Sequence, residues 1–156
     1  MTPAVTALKA LKLSYQLLEY EPGNPGDKDI GLAAAEALQL PEQAVFKTLI
    51  AELAGGELVV AVIPVAAKLN LKQLARAAGA KSARMAEVKD AERATGYLTG
   101  GISPLGQKRR HRTFLAGEVE ELDLIYVSAG KRGLELALTP DALTEATAAH
   151  LCTLTA

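Results

Sequence analysis

Two apolar runs joined by a short glycine turn constrain the fold of this chain more than any other feature. The runs cover residues 45–53 and 58–65, and the turn between them reads Ala54-Gly55-Gly56-Glu57. Runs of this length that are rich in Val, Ile and Leu, and are separated by a few residues containing glycine, are typical of a β-hairpin. The sequence therefore predicts two antiparallel strands over residues 45–65.

Helix and strand signals are mixed around this hairpin. Caps and apolar spacing predict five helices, and apolar runs predict three further strands. A chain of 156 residues with 49% hydrophobic residues has the size of one domain. We therefore expect a single α+β domain, residues 1–156, built on a mixed β-sheet flanked by helices. The predicted helices are 3–11, 32–38, 71–78, 87–95 and 140–149; the further strands are 15–20, 124–128 and 134–138, with a loop over 21–27.

The net charge of −1 conceals a strong segregation of charge along the chain. Residues 66–112 carry eleven basic and three acidic side chains, whereas the segments on either side are both acidic. A basic segment of this kind suits a polyanionic partner. Charged helix faces that merely contact water explain it equally well.

Several classes of protein and of site are excluded by what the chain lacks. A single cysteine, Cys152, allows neither an internal disulfide nor a cysteine-based metal cluster. The two histidines, His111 and His150, have no metal-ligand spacing, and the Gly-x-Ser-x-Gly pattern is absent. No apolar stretch is long enough to span a membrane. We therefore expect a cytoplasmic protein without a membrane segment, metal or cofactor.

Lys47 is the side chain that fits its surroundings least. It lies within an apolar strand signal, on the same face as Val45 and Leu49. The commoner explanation is an edge-strand lysine that reaches water and prevents aggregation. The alternative is a cation that points into a pocket and holds a phosphate or carboxylate.

Two glycine-bearing loops are candidate ligand sites. The segment Gly100-Gly101-Ile102-Ser103-Pro104 can offer backbone N–H groups to an oxyanion, and the basic run of Lys108, Arg109, Arg110 and Arg112 follows it closely. The segment Gly130-Lys131-Arg132-Gly133 is either the tip of a hairpin or a phosphate clamp. An ordinary structural turn also explains each of them.

Several segments together resemble one known family. They include residues 45–49, 91–98 and 125–134, and the block at 100–108, Gly-Gly-Ile-Ser-Pro-Leu-Gly-Gln-Lys, is the most specific of them. The chain resembles the YbaK family of Cys-tRNA(Pro) deacylases, which are related to the editing insertion domain of prolyl-tRNA synthetases. The resemblance implies a barrel-like mixed sheet with a pocket for the aminoacyl group at the 3′ end of the tRNA.

The resemblance also implies roles for particular residues. Lys47 corresponds to the family's key active-site residue, while Glu135 stands where the family often has Asp, so we assign it no role. The basic side chains near the two loops are expected to contact tRNA. The implied substrate-binding residues are Tyr20, Thr48, Gly100, Gly101, Ile102, Ser103, Pro104, Ser128 and Gly130. The basic charge of the two segments, and not the resemblance, predicts the tRNA-binding residues Lys108, Arg109, Arg110, Lys131 and Arg132.

In the family the thiol of the mischarged cysteine is thought to attack its own ester, so the protein supplies positioning and polarisation. The resemblance thus implies a trans-editing enzyme that acts on the acceptor end of tRNA(Pro) alongside prolyl-tRNA synthetase, and we expect the protein to be a monomer. Two alternatives remain at this stage: a deacylase of another mischarged tRNA, such as Ala-tRNA(Pro), and a tRNA-binding module without catalytic activity.

Overall fold

The computed structural model describes residues 1–22 and 30–155, which contain five α-helices, eight β-strands and two short 3₁₀ helices. Part of the predicted loop over 21–27 lies outside the described residues. The helices are α1 (Pro3–Ala10), α2 (Ile30–Ala37), α3 (Leu71–Ala78), α4 (Val88–Thr95) and α5 (Pro140–Thr147). The strands are β1 (Gln16–Glu19), β2 (Phe46–Leu53), β3 (Leu58–Pro64), β4 (Ala83–Met85), β5 (Thr113–Ala116), β6 (Ile125–Ser128), β7 (Leu134–Leu138) and β8 (His150–Cys152).

The helix ends follow the capping residues of the sequence. The side chain of Thr2 accepts a hydrogen bond from the Val5 backbone N–H at the start of α1, and Asn70 does the same for Gln73 in α3. Gly79 ends α3 in the left-handed conformation, with φ of 73°. These caps satisfy backbone groups that the first and last turns leave free. Each of the five helices has eight residues, and none of the described helices is long and apolar enough to cross a membrane.

The strands form a five-stranded mixed sheet and a smaller antiparallel sheet. Their strand orders are β4-β2-β3-β5-β8 and β1-β7-β6. The predicted hairpin is confirmed as β2 and β3, with Lys47 opposite Ile63. Strand β5 runs parallel to both β3 and β8. The large sheet is therefore mixed, as expected from the sequence.

The expected barrel-like closure is wrong for the strands that the structure describes. A single parallel bridge, between Val45 and Tyr126, connects the end of β2 to β6. One bridge is too short to continue a ladder, so the two sheets remain separate. They nevertheless share one hydrophobic core, to which Phe114 and Ile63 contribute from the large sheet and Val127 and Leu136 from the small one.

Three short strands were missed by the sequence prediction. The most important is β5, whose four residues are all buried between β3 and β8. The predicted last helix also extended too far, because Ala148 adopts a left-handed conformation with φ of 55° and the chain continues as β8. In β8, Cys152 is half-buried, and burial raises the pKa of its thiol.

Candidate functional site

A cavity of about 370 Å³ draws its walls from both sheets. Strand β2 supplies residues 46–50, and the small sheet supplies Ser128 and Glu135. Helices α2 and α4 and the loop that follows α4 complete the enclosure. The predicted site residues that line it are Tyr20, Lys47, Thr48, Gly100, Ile102 and Ser128.

The position of the cavity follows from how β2 is paired. Strand β4 pairs with β2 only at residues 51–53, and among the described residues the only backbone bridge to β6 is at Val45. Between these contacts β2 pairs with β3 alone, so the cavity occupies the gap beside the strand. Because Val45 and Tyr126 form a parallel bridge, Lys47 and Ser128 each lie two residues beyond it, at the same level of the two strands.

Lys47 lies on this local edge of β2 and borders the cavity. Its side chain is half-buried, and no acidic group among the described residues forms an ion pair with it. Thr48 lines the same cavity, although successive strand residues point to opposite faces. All five residues from 46 to 50 line the cavity because it lies alongside the strand. The Thr48 hydroxyl is buried and has no hydrogen-bond partner in the described part of the chain.

Glu135 is the acidic member of the cavity wall. It lies opposite Ser128 across the β6–β7 pair, and only 5% of its surface is exposed. Burial raises the pKa of its carboxyl group to about 8, so the side chain holds its proton at neutral pH. Burial, and to a smaller extent the neighbouring Glu135, also raise the pKa of Tyr20. An acidic residue within an otherwise apolar strand is the sequence signal for this position.

The glycine loop after α4 contributes to the cavity through part of its length. Gly100 and Ile102 line the cavity, whereas Gly101, Ser103 and Pro104 do not. The Gly101 N–H donates to the Leu98 carbonyl, so it is not available to a ligand. The N–H groups of Gly100 and Ile102 have no hydrogen-bond partner within the described residues. These two groups are therefore the candidate oxyanion donors.

The second glycine segment closes the β6–β7 hairpin behind the cavity wall. The Gly130 N–H donates to the Ser128 hydroxyl at 3.0 Å. Gly130 has φ of 105°, and a Cβ there would lie 2.6 Å from a ring carbon of Tyr97. Gly130 does not line the cavity and instead supports Ser128. Lys131 is exposed and Arg132 is half-buried at the tip of the hairpin.

The basic run lies outside this cavity. Lys108, Arg109 and Arg110 are exposed. Arg112 differs from them, because its guanidinium donates to both carboxylate oxygens of Glu57 at 2.9 Å. Three of these cations thus have no ion-pair partner among residues 1–22 and 30–155, whereas Arg112 is paired.

Comparisons with known proteins assign the family. A model described as an aminoacyl-tRNA editing domain matches residues 25–146, which is more than half of the chain. This chain belongs to the aminoacyl-tRNA editing domain family. The match includes every predicted site residue except Tyr20.

Named relatives agree with the editing-domain assignment. A protein of Enterococcus faecalis named "Putative Cys-tRNA(Pro)/Cys-tRNA(Cys) deacylase EbsC" is 40% identical over 142 residues, covering 91% of this chain and 85% of its own. A solved structure described as a hypothetical protein is 25% identical, with a TM-score of 0.88 and coverage of 99% of this chain and 100% of that one. Another, described as "a putative trans-editing enzyme for prolyl tRNA synthetase", has a TM-score of 0.82 at 18% identity, covers 100% of this chain and 99% of its own, and shows the shared fold.

Proposed function

We propose that this editing domain is an aminoacyl-tRNA deacylase that removes cysteine from mischarged Cys-tRNA(Pro). The observation that carries the proposal is the chemistry of the cavity wall. Its ionisable side chains are those of Tyr20, Lys47 and Glu135, with no cysteine or histidine among the described lining residues. A nucleophile paired with a histidine base is therefore missing from this wall. The name of the Enterococcus relative supports the same substrate.

The substrate's own thiol supplies the nucleophile in this proposal. Its sulfur attacks the carbonyl carbon of the ester, and a carbon–sulfur bond replaces the carbon–oxygen bond to the terminal ribose. The thiol proton ends on the released ribose hydroxyl. The products are free tRNA and the cyclic thiolactone of cysteine, and no water is consumed.

The cavity has groups suited to assist this step. The N–H groups of Gly100 and Ile102 are free to stabilise the developing oxyanion, and the Lys47 ammonium supplies positive charge at the same wall. Positioning the thiol near the carbonyl provides the remaining acceleration.

The thiol mechanism also explains why correctly charged prolyl-tRNA would not be cleaved. A synthetase pocket that accepts proline rejects smaller side chains only weakly, so a second site must remove the error. Prolyl-tRNA has no thiol and cannot cyclise. We propose that the domain acts in the cytoplasm as a monomer, in trans to prolyl-tRNA synthetase.

The apolar part of the wall supports a second candidate function. Ile30, Phe46, Met85 and Val88 line the cavity and suit any small aliphatic side chain. Selection by size would make alanine esters substrates, with water as the nucleophile. Such an enzyme would be a deacylase of Ala-tRNA(Pro).

The deciding experiment is a deacylation assay on tRNA(Pro) charged with cysteine, S-methylcysteine, alanine or proline. We expect turnover of the cysteine ester alone, with the thiolactone detected by mass spectrometry. Cleavage of the S-methylcysteine or alanine ester would replace the thiol mechanism with selection by size. Binding of all four without turnover would show a non-catalytic tRNA-binding module.

A further inference from the structure

A second cavity, of about 190 Å³, borders the other end of the same glycine loop. Gly100 lines the first cavity and Pro104 lines the second. The four peptide units between them span at most about 14 Å when fully extended. The polar side chains of the second cavity are Gln107, Arg109, Arg110, His111, Thr113 and Thr147.

The charge of this cavity is uncompensated. No acidic side chain is among the described residues that line it, and neither Arg109 nor Arg110 has an ion-pair partner in the described chain. Arg112, two residues after Arg110, is by contrast bonded to Glu57 through two nitrogen atoms. Arginine presents planar N–H donors that match the oxygens of a phosphate.

A hydrogen-bonded pair fixes the state of the histidine in this cavity. Gln107 donates through Nε2 to the Ser103 carbonyl at 2.9 Å, which leaves its Oε1 as the acceptor that faces His111. The proton of neutral His111 therefore resides on Nδ1, and Nε2 has no partner within the described residues. When protonated, the ring gains an Nε2–H donor.

We propose that this second cavity binds one backbone phosphodiester of the tRNA whose 3′ end occupies the first cavity. Arg109 and Arg110 supply the charge and His111 supplies a third donor. The proposal rests on the proposed function for the identity of the nucleic acid. Phosphate contacts position a strand without reading its sequence, so this cavity would align the ester and not select the tRNA.

Binding at this cavity is linked to proton uptake. Burial, followed by the charge of Arg109, lowers the pKa of His111, while Glu57 opposes this effect. A bound phosphate adds negative charge beside the ring and raises that pKa. Affinity should therefore increase as pH falls through the pKa of His111 in the complex.

The test measures binding of uncharged tRNA as a function of salt. Neutralising one phosphate contributes a log–log slope of roughly 0.7–0.9. We expect the Arg109→Gln/Arg110→Gln double variant to flatten the slope by about one unit, and the exposed Arg76→Gln control to leave it unchanged. An unchanged slope in the double variant would overturn the proposal. A decrease of the slope by about two units would mean that each arginine contacts a separate phosphate. That result would also contradict the proposal that both arginines bind one phosphate in this cavity.

Further measurements identify the ligand and test the role of His111. Short single-stranded RNA should compete for the cavity far better than inorganic phosphate at equal phosphate concentration, whereas equal competition would make it a free-anion site. His111→Gln should abolish the increase in affinity between pH 8 and pH 6 that the wild type shows; an unchanged increase would remove His111 from the site. Thermal melting of each variant verifies that it is folded.

Kinetic measurements distinguish a failure of the phosphate-binding proposal from a failure of the proposed deacylase function. The double variant should raise KM for Cys-tRNA(Pro) with kcat unchanged, whereas Lys47→Ala should lose turnover and keep the salt slope. If the wild-type protein proves inactive on every ester but the slope changes as expected, the phosphate cavity stands and the deacylase proposal fails.

Discussion

Gly101 lies directly against the backbone of Lys131. A Cβ atom built on Gly101 would lie 3.0 Å from the Lys131 Cα and 3.1 Å from the Arg132 nitrogen. Real Cβ atoms rarely approach backbone so closely, so any side chain here would push the loop after α4 away from the β6–β7 turn. The loop carries Gly100 and the turn supports Ser128, and both of these residues line the first cavity.

Gly101→Ala should therefore lower deacylation more than it lowers stability. We expect kcat to fall at least about tenfold, because displacements of about an ångström at a catalytic loop are costly. The melting temperature should fall by only a few degrees, or roughly 1–2 kcal/mol for a chain of this size. Gly117→Ala is the matched control, since the nearest atom to its Cβ is the Cys152 carbonyl oxygen at 3.8 Å. Full activity of Gly101→Ala would remove the loop from the mechanism.

Lys47→Ala should abolish turnover and leave the protein folded. The Lys47 ammonium borders the cavity and forms no ion pair within the described structure. Its removal therefore leaves no buried acidic group without a partner. We expect kcat/KM to fall on the order of 100-fold or more. Lys47→Arg should also fail, because a planar fork does not replace a compact ammonium. The exposed Lys72→Ala variant serves as the control; near-normal turnover by Lys47→Ala would refute the assignment.

Tyr97→Phe should destabilise the protein through the glycine loop. The buried Tyr97 hydroxyl donates to the Leu105 carbonyl at 2.6 Å, and burial raises its pKa to about 12. Removing the hydroxyl leaves a buried carbonyl without its partner, which costs roughly 1–3 kcal/mol. Thermal melting measures the effect. Tyr126→Phe is the control, since no described group bonds its hydroxyl, and an equal loss in both variants would contradict this account.

The stability of the protein should depend on pH through Glu135. Its pKa rises from 4.5 to about 8 on folding, so the folded protein holds this proton more tightly than the unfolded chain. The contribution to stability is therefore fully present below about pH 4.5 and is lost as pH rises towards 8. The free energy of unfolding should decrease with pH by at most about 1.4 kcal/mol per unit.

Denaturant unfolding at several pH values between 5 and 8 checks this dependence. Glu135→Gln should flatten the profile, because the amide does not titrate. The exposed Glu120→Gln variant should retain the wild-type profile. The same slope in the wild type and in Glu135→Gln would show that Glu135 is charged in the folded protein.

Local signals predicted most of the elements but not β5, an inner strand of the large sheet. Helix caps such as Asn70 act within one turn, so α3 was predicted with its observed bounds. Strand β5 has only four residues and follows the basic run, and it is a strand because β3 and β8 pair with it. No local pattern carries that information, since the partners of residue 114 are residues 61 and 150.

The candidate site was predicted in part, for a similar reason. Lys47 and the glycine block stand out locally, and the family resemblance places both near a ligand. The apolar wall formed by residues such as Phe46 and Met85 looks like ordinary core in the sequence. The burial of Glu135 could not be predicted from its neighbours in sequence, because it is created by β1 and β6, which pair with β7 on either side.

The wall of the first cavity has a consequence for how this protein reaches its active form. Tyr20 and Glu135 both line the cavity, although more than a hundred residues of chain separate them. Contacts at such long separation form late in folding, because the chain entropy lost in closing them must first be compensated. A nascent or partly unfolded chain that lacks the small sheet would lack Ser128 and Glu135 from the cavity wall. Loss of ligand binding in denaturant should therefore coincide with global unfolding. Ligand binding then measures the fraction of molecules that are native.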